Sequence, residues 1–170
     1  MSTFNSGDIV FIMHNDSWLS KSIAWFMQSK WSHSAIVYGD THGKTMLIET
    51  SDVQVTLNDL DRYLSNPHCT VEVWRFDGDI NGDEVVTNAY SLNGKIYGYL
   101  KLLGCGIRRL FRRAGFEINT PLVSQTICKD VVTHAYLGMK QSPFGNDSAK
   151  LDTEEVYQLV LESREFKKVF

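Results

Sequence analysis

Cysteine is scarce in this sequence of 170 residues: Cys69, Cys105 and Cys128 are an odd number and too few for a disulfide framework. Only three prolines are present, and 43% hydrophobic with 22% charged residues is an ordinary globular composition, which excludes collagen-like and disordered chains. No apolar run reaches the roughly 18 residues a spanning helix needs. Basic charge is not in excess either. Seventeen Lys and Arg against twenty Asp and Glu leave a net charge of −3, the opposite of the balance expected of a nucleic-acid-binding domain. No Cys-x-x-Cys pair occurs, and His68 and Cys69 are adjacent, a first pair that one metal rarely accommodates, so no metal and no other cofactor is expected. The opening Met-Ser-Thr-Phe-Asn-Ser has no charged or apolar signal region, which gives the expectation of a cytoplasmic protein with free thiols.

What is present suits one domain over residues 1–170, without internal repeats or low-complexity linkers. Gly7 to Met13 is a compact apolar run of strand length, broad enough to be buried on both faces. Trp18 to Lys30 places Trp18, Leu19, Ile23, Phe26 and Met27 on one side of a helix. Ala35 to Tyr38, Thr45 to Glu49 and Thr70 to Phe76 are rich in β-branched and aromatic residues and read as strands. The alternation of charged and apolar residues from Val71 to Phe76 suggests a half-exposed strand. A short helix over 57–64, capped by Thr56, interrupts the strands. Beyond Gly82 the period is helical, with helices expected at about 83–92, 95–113, 126–138 and 153–163, the last with Thr153 at its capped start. Strands early and helices late imply an α+β fold, an antiparallel sheet packed against helices.

Chemistry concentrates in three segments: Trp31-Ser32-His33-Ser34-Ala35, Leu47-Ile48-Glu49-Thr50 and Thr126-Ile127-Cys128-Lys129-Asp130. Cys128 falls at the start of an amphipathic helix, where unpaired N–H groups and the helix dipole stabilise a thiolate. A nucleophilic thiol needs a base, and the base an orienting partner. His33 opens a strand, and Glu49 lies on the next. A free cysteine is also a commonly buried small hydrophobe, a strand-start histidine is often a surface residue, and Glu49 could be a solvated charge. On the residues alone, both readings stand. His134, six residues beyond Cys128 on the same helix, points to roughly the opposite side and makes a poor base for that thiol.

The order Gly-Asp-Ile-Val-Phe, Ser-His-Ser-Ala-Ile-Val, Ile-Glu-Thr and a late Ile-Cys-Lys-Asp-Val-Val resembles the circularly permuted branch of the NlpC-type papain-like cysteine hydrolases. This is the YiiX-type group, more distantly like lecithin:retinol acyltransferase. In the unpermuted family the cysteine helix comes first; here it follows the histidine strand. The Arg75 segment and Asn93-Gly94-Lys95-Ile96-Tyr97 resemble the family's Val-x-Arg strand and Gly-Lys-x-Tyr link, so the likeness spans about residues 7 to 137. It implies a permuted papain-like fold, with Cys128 as nucleophile, His33 as general base and acid, and Glu49 as orienting residue. It further implies a hydrolase or acyltransferase acting on peptide or acyl-lipid substrates. Family members often carry Cys-Ser-Glu-Leu-Val and Ser-His-Val-Gly where this chain has Cys128-Lys129-Asp130-Val131-Val132 and Ser32-His33-Ser34-Ala35, departures that bear on substrate choice.

Trp31, just before the Ser-His pair, is a candidate substrate-binding residue lining the cleft. Arg108, Arg109, Arg112 and Arg113 follow an apolar stretch and form a basic amphipathic segment, readable as a solvated helix face or as a peripheral contact with anionic lipid. Two alternatives to catalysis therefore remain: a papain-like binding protein with a structural cysteine, and a lipid-surface binder using the arginine segment.

Overall fold

The computed structural model describes residues 4–51, 53–98, 107, 111, 115, 126–137, 139, 142–145 and 151–170. The described elements are strands β1 (Ile9–His14), β2 (His33–Thr41), β3 (Lys44–Thr50), β4 (Val55–Asp59), β5 (Cys69–Phe76) and β6 (Phe166–Lys168). The helices are α1 (Trp18–Met27), α2 (Asp61–Leu64), α3 (Gly82–Tyr90), α4 (Cys128–Ala135) and α5 (Thr153–Glu162). The strands form one sheet in the order β4-β3-β2-β1-β5-β6, and every pairing is antiparallel. This is the expected α+β arrangement.

The sheet is covered on both faces, which accounts for the unbroken apolar character of β1. Ile9 and Phe11 join Ile36, Ile48, Trp74 and Phe76 on one face, packed under Val85 and Ala89 of α3, Val131, Val132 and Ala135 of α4, and Val156 and Val160 of α5. Val10 and Ile12 join Ala35, Val37, Leu47 and Val73 on the other, under Leu60 and Tyr63. Alternate residues of one strand thus serve two cores, as the two-residue period of a strand dictates. At α3 the approach is close: a Cβ on Gly82 would lie 2.5 Å from the Ser6 carbonyl oxygen, so only glycine lets the helix start there.

Several expectations need correction. The 57–64 helix is two elements, strand β4 followed by the single turn α2. Thr56 pairs with Glu49 within the sheet and caps nothing, while the residue before α2, Leu60, offers no side-chain cap. The β-branched Val55 and Thr56 favour the strand, and β3 supplies a ladder for it. Lys95 to Gly98 is extended rather than helical: Ile96 bridges to Gln54 and Tyr97 to Thr126. The Tyr97 and Gly98 amides donate to the Val53 and Thr126 carbonyls instead of to a helix, after Gly94 turns the chain at φ +80°. Most of the remaining 95–113 expectation, including Cys105, Arg108, Arg109, Arg112 and Arg113, lies outside the described residues.

At α5 the cap is Asp152, not Thr153. Its carboxylate accepts from Glu155 N–H at 2.9 Å, while the Glu155 carboxylate accepts from Asp152 N–H at 2.8 Å, a reciprocal capping box. On α1 the expected apolar face is buried only in part: Met27 is buried and Ile23 and Phe26 are half-buried, but Trp18 and Leu19 are exposed. Ala24 and Met27 are buried, whereas Trp18 and Trp25 are 76% and 77% exposed. The half-exposed strand β5 buries its Glu72, which accepts from Trp74 Nε1, Tyr157 Oη and Lys30 Nζ.

Candidate active site

Cys128 is the first residue of α4. The preceding Ile127 is extended (φ −116°, ψ 167°), and Thr126 is held by its backbone bonds to Ile96 and Gly98, so the chain enters the helix from a fixed edge. Asp130 closes the first turn: its carboxylate accepts from Ile127 N–H at 2.8 Å and pairs with the buried Lys129 ammonium at 2.8 Å. The Cys128 amide belongs to the first turn, whose N–H groups the helix itself does not satisfy. Val131, Val132 and Ala135, three, four and seven residues on, share the Cys128 face of α4 and pack it into the core over the sheet, which fixes the thiol in place.

His33 is the first residue of β2, where its strand partner is Ile12. Glu49 sits on β3 opposite Ala35 and therefore on the same sheet face as His33, two residues along. The ring reaches diagonally across that gap, and Nε2 lies 2.7 Å from Glu49 Oε2. The Cys128 thiol lies near enough to the imidazole for each group to favour the charged form of the other. With Nε2 committed to Glu49, Nδ1 is the nitrogen left for sulfur. Cys128, His33 and Glu49, separated by 95 positions along the chain at their widest (128 − 33), are thus brought into one line of contacts.

The electrostatics follow from that line. Burial disfavours a charged His33, but its hydrogen bonds to Cys128 and Glu49 and their negative charges outweigh this and raise the imidazole to about 10. Burial likewise opposes a Cys128 thiolate. The hydrogen bond and charge of His33, with help from the Thr153 hydroxyl and the Ser34 N–H, nevertheless hold the thiol below its usual range. Thr153 Oγ1 stands 4.0 Å from the sulfur. Glu49 is 1% exposed, and burial pushes its carboxyl up, yet His33, Tyr63 and Asn58 together hold it below the ordinary carboxylate value. The arrangement can carry a thiolate–imidazolium pair, with a carboxylate behind the ring.

Trp31 requires correction. At 1% exposure it belongs to the core, packed against Phe11 and Tyr157 with ring centroids 5.9 and 5.4 Å away, so it lines no open cleft. Its size and position beside the Ser-His pair suggested a rim residue, but Trp31 precedes β2, outside the alternation of the strand, and its ring turns into the core. His134 meets Ser91 Oγ at 3.2 Å and faces away from the thiol, in keeping with its helical phase. Sequence reasoning missed Tyr63, Asn58 and Thr153. Asn58 lies on the unrecognised strand β4, and no local pattern marks a tyrosine of a one-turn helix as a carboxylate partner.

A cavity of about 160 Å³ lies elsewhere, around Asp8, Arg75 and Tyr136 at the opposite end of β1 from the His33 pairing. Cys69 pairs with His14 Nδ1 at 3.2 Å, and burial pushes its thiol up, the reverse of Cys128. Among the described residues, no three His, Cys, Asp or Glu side chains gather as a metal site, and no helix is long and apolar enough to cross a membrane.

The architecture matches a crystal structure of the metalloprotein YiiX from Escherichia coli O157:H7 (DUF1105) with a TM-score of 0.62 and 19% identity. The match covers 99% of this chain and 98% of that one. The chain has a YiiX-like fold. No protein-family model and no curated protein matches the sequence. The YiiX likeness extends over the full length of both chains, and so includes the elements that carry Cys128, His33 and Glu49.

Proposed function

We propose that this chain is a cysteine-dependent hydrolase or acyltransferase of the permuted NlpC, papain-like type, acting on amide or ester carbonyls of peptides or acyl lipids. The observation that carries this reading is the His33 ring, 2.7 Å from the buried Glu49 carboxylate and near enough to the helix-terminal Cys128 thiol for the two to favour each other's charged form. A structural cysteine needs no such base and no oriented carboxylate behind it.

In the reaction, Cys128 Sγ attacks the carbonyl carbon and the carbonyl π electrons move to oxygen. The Cys128 N–H at the helix start belongs to the residue that attacks and is suited to donate to that oxyanion. As the intermediate collapses, the bond to the leaving nitrogen or oxygen breaks, and His33 Nδ1–H supplies its proton. An acyl-thioester remains. Water, or an acceptor hydroxyl or amine, gives a proton to His33 and attacks the thioester, and the C–S bond breaks to restore the thiolate beside an imidazolium. Glu49 holds the ring and stabilises its cationic form throughout.

YiiX is a metalloprotein, but the described donors of this chain do not fit a metal centre: the Glu49 carboxylate is taken up by His33, Tyr63 and Asn58, and among the described residues no three His, Cys, Asp or Glu side chains gather around one point that could hold an ion. No step of this mechanism runs through a metal.

The test is site-resolved alkylation of the three cysteines against pH, followed by mass spectrometry, in the wild type and in His33→Ala. Cys128 should react fast well below the ordinary thiol value of about 8.5, and His33→Ala should remove that advantage. Cys69 should behave as an ordinary or less reactive thiol in both proteins. A Cys128 that titrates like an unperturbed thiol would sink the proposal.

A further inference from the structure

The buried carboxylate of Glu49 is surrounded by donors. Tyr63 Oη lies 2.8 Å from both of its oxygens, Asn58 Nδ2 lies 2.7 Å from Oε1, and His33 Nε2 lies 2.7 Å from Oε2. Arg62 stands at the edge, 4.0 Å from Oε1. An ionised carboxylate only accepts, a tyrosine hydroxyl without another acceptor donates, and the Asn58 amide reaches it through its NH₂. Asn58 thus donates to Oε1 and the one Tyr63 proton is shared between Oε1 and Oε2, which leaves a lone-pair direction on Oε2 aimed at the ring. A carboxylate so held cannot rotate, and it can meet Nε2 only if Nε2 bears the proton.

We infer that Tyr63 and Asn58 are positioning residues, which hold Glu49 ionised and fixed and thereby lock His33 into the Nε2–H form with Nδ1 turned to Cys128. The inference rests on the catalytic reading above and adds to it two residues that act through Glu49. Their position follows from the fold. β4 brings Asn58 opposite Leu47, and α2 folds Tyr63 over the same sheet face as Glu49. Tyr63 is itself braced, its ring packed edge-on to His14 at 5.6 Å with the Arg62 guanidinium 5.2 Å from its centre.

Removing the Tyr63 hydroxyl takes one donor from both oxygens and leaves the ring packing intact. The Glu49 anion then loses stabilisation, so the carboxyl takes up its proton at higher pH. When it does, His33 loses its counter-charge and the thiolate loses its partner. The experiment follows the Glu49 side-chain carboxyl by ¹³C NMR and the alkylation rate of Cys128 across pH, in the wild type, Tyr63→Phe and Asn58→Ala. In each variant the carboxyl midpoint and the acid limb of Cys128 reactivity should move upward together by about one pH unit, a tenfold change in proton affinity. Should Tyr63→Phe fold poorly, Asn58→Ala makes the same test from the other donor. A fast, low-pH Cys128 in the wild type with an unmoved carboxyl midpoint in the variants would overturn this inference alone. So would a midpoint that moves without the acid limb. An ordinary Cys128 thiol in the wild type would instead overturn the catalytic reading, and this assignment with it.

Discussion

Nε2 of His33 and Oε2 of Glu49 stand 2.7 Å apart, with the carboxylate 1% exposed and the ring at the surface end of its strand. The two residues sit on neighbouring strands, on the same face and two positions out of register. The pleat of the sheet therefore sets their distance. A pair placed by the ladder itself is rigid, and it needs no loop to close before it can orient the ring.

Glu49→Gln preserves volume and removes the charge. The amide oxygen then serves Tyr63 and Asn58, and the amide NH₂ faces Nε2, which must become an acceptor. The ring is left with its proton on Nδ1, the nitrogen that should receive the one from Cys128. Reactivity of Cys128 at neutral pH should fall by about 10²–10⁴-fold, as expected when an oriented base is misplaced. The rate of thiol alkylation, or of ester turnover once a substrate is found, measures it. A fall of only a few-fold would mean that Glu49 does not orient His33.

The pH dependence follows from the directions of the shifts. The reactive pair exists above the Cys128 value, which lies below the ordinary thiol range, and is lost as pH rises through the His33 value of about 10. Thiolate-dependent turnover should therefore rise at a lower pH than an ordinary thiol ionises and fall again as pH climbs through about 10. Stability has two edges. The contribution of Glu49, lowered from its ordinary 4.5, is present above that value and disappears as pH falls through its folded one. The contribution of His33, raised from 6.5, is complete below 6.5 and is lost as pH climbs through about 10. Urea unfolding from pH 3 to 11 should show both losses, and Glu49→Gln should flatten the acid edge. An acid edge unchanged in that variant would assign it to another carboxylate.

The parts of this site that were legible in the sequence are those that local chemistry marks. Cys128 opens an amphipathic helix, His33 opens a strand and Glu49 ends the apolar run of the next one; each can be read from a few neighbours. The α+β layout was legible for the same reason, since the early β-branched runs and the later helical period are local signals. Strand β4 was not, because Val55 to Asp59 holds one buried residue and four partly buried ones, and its case rests on the ladder that β3 offers. With β4 hidden, Asn58 could not be placed beside Glu49. Strand β6 is only three residues long and pairs with β5 across most of the chain. Tyr63 and Trp31 show the same limit: which way a single aromatic faces depends on what covers it.

The Asp8–Arg75 pair offers a test of stability away from the thiol. Asp8 is 2% exposed, and Arg75 grips it through Nε at 2.9 Å and Nη2 at 2.8 Å, joining the start of the β1 segment to β5. Asp8 also accepts from Asn5 N–H at 2.9 Å, so the carboxylate organises the N-terminal turn. Arg75→Met keeps much of the aliphatic stem and leaves Asp8 without its charged partner. It should lower unfolding stability by about 1–3 kcal/mol, seen as a lower urea midpoint with an unchanged slope. The alkylation profile of Cys128 should keep its shape. A midpoint within error of the wild type would show that solvent replaces the guanidinium at no cost.

Trp31 gives the sharpest separation between packing and chemistry, because it stands two residues before His33 yet points into the core. Its ring fills the space between Phe11 and Tyr157, and the Lys30 ammonium lies 4.6 Å from its centre on the side toward solvent. Trp31→Ala removes one of the largest fully buried side chains and should cost about 3–5 kcal/mol. Trp31→Phe keeps an aromatic wall and discards an indole N–H that has no partner among the described residues. The smaller ring leaves a void, but no buried donor is stranded, so its cost should be clearly less than that of alanine. A substrate-lining tryptophan behaves differently: exchange for phenylalanine would raise KM at nearly constant stability. In the core position KM should stay fixed while the unfolding midpoint drops, and the reverse pattern would return Trp31 to the cleft.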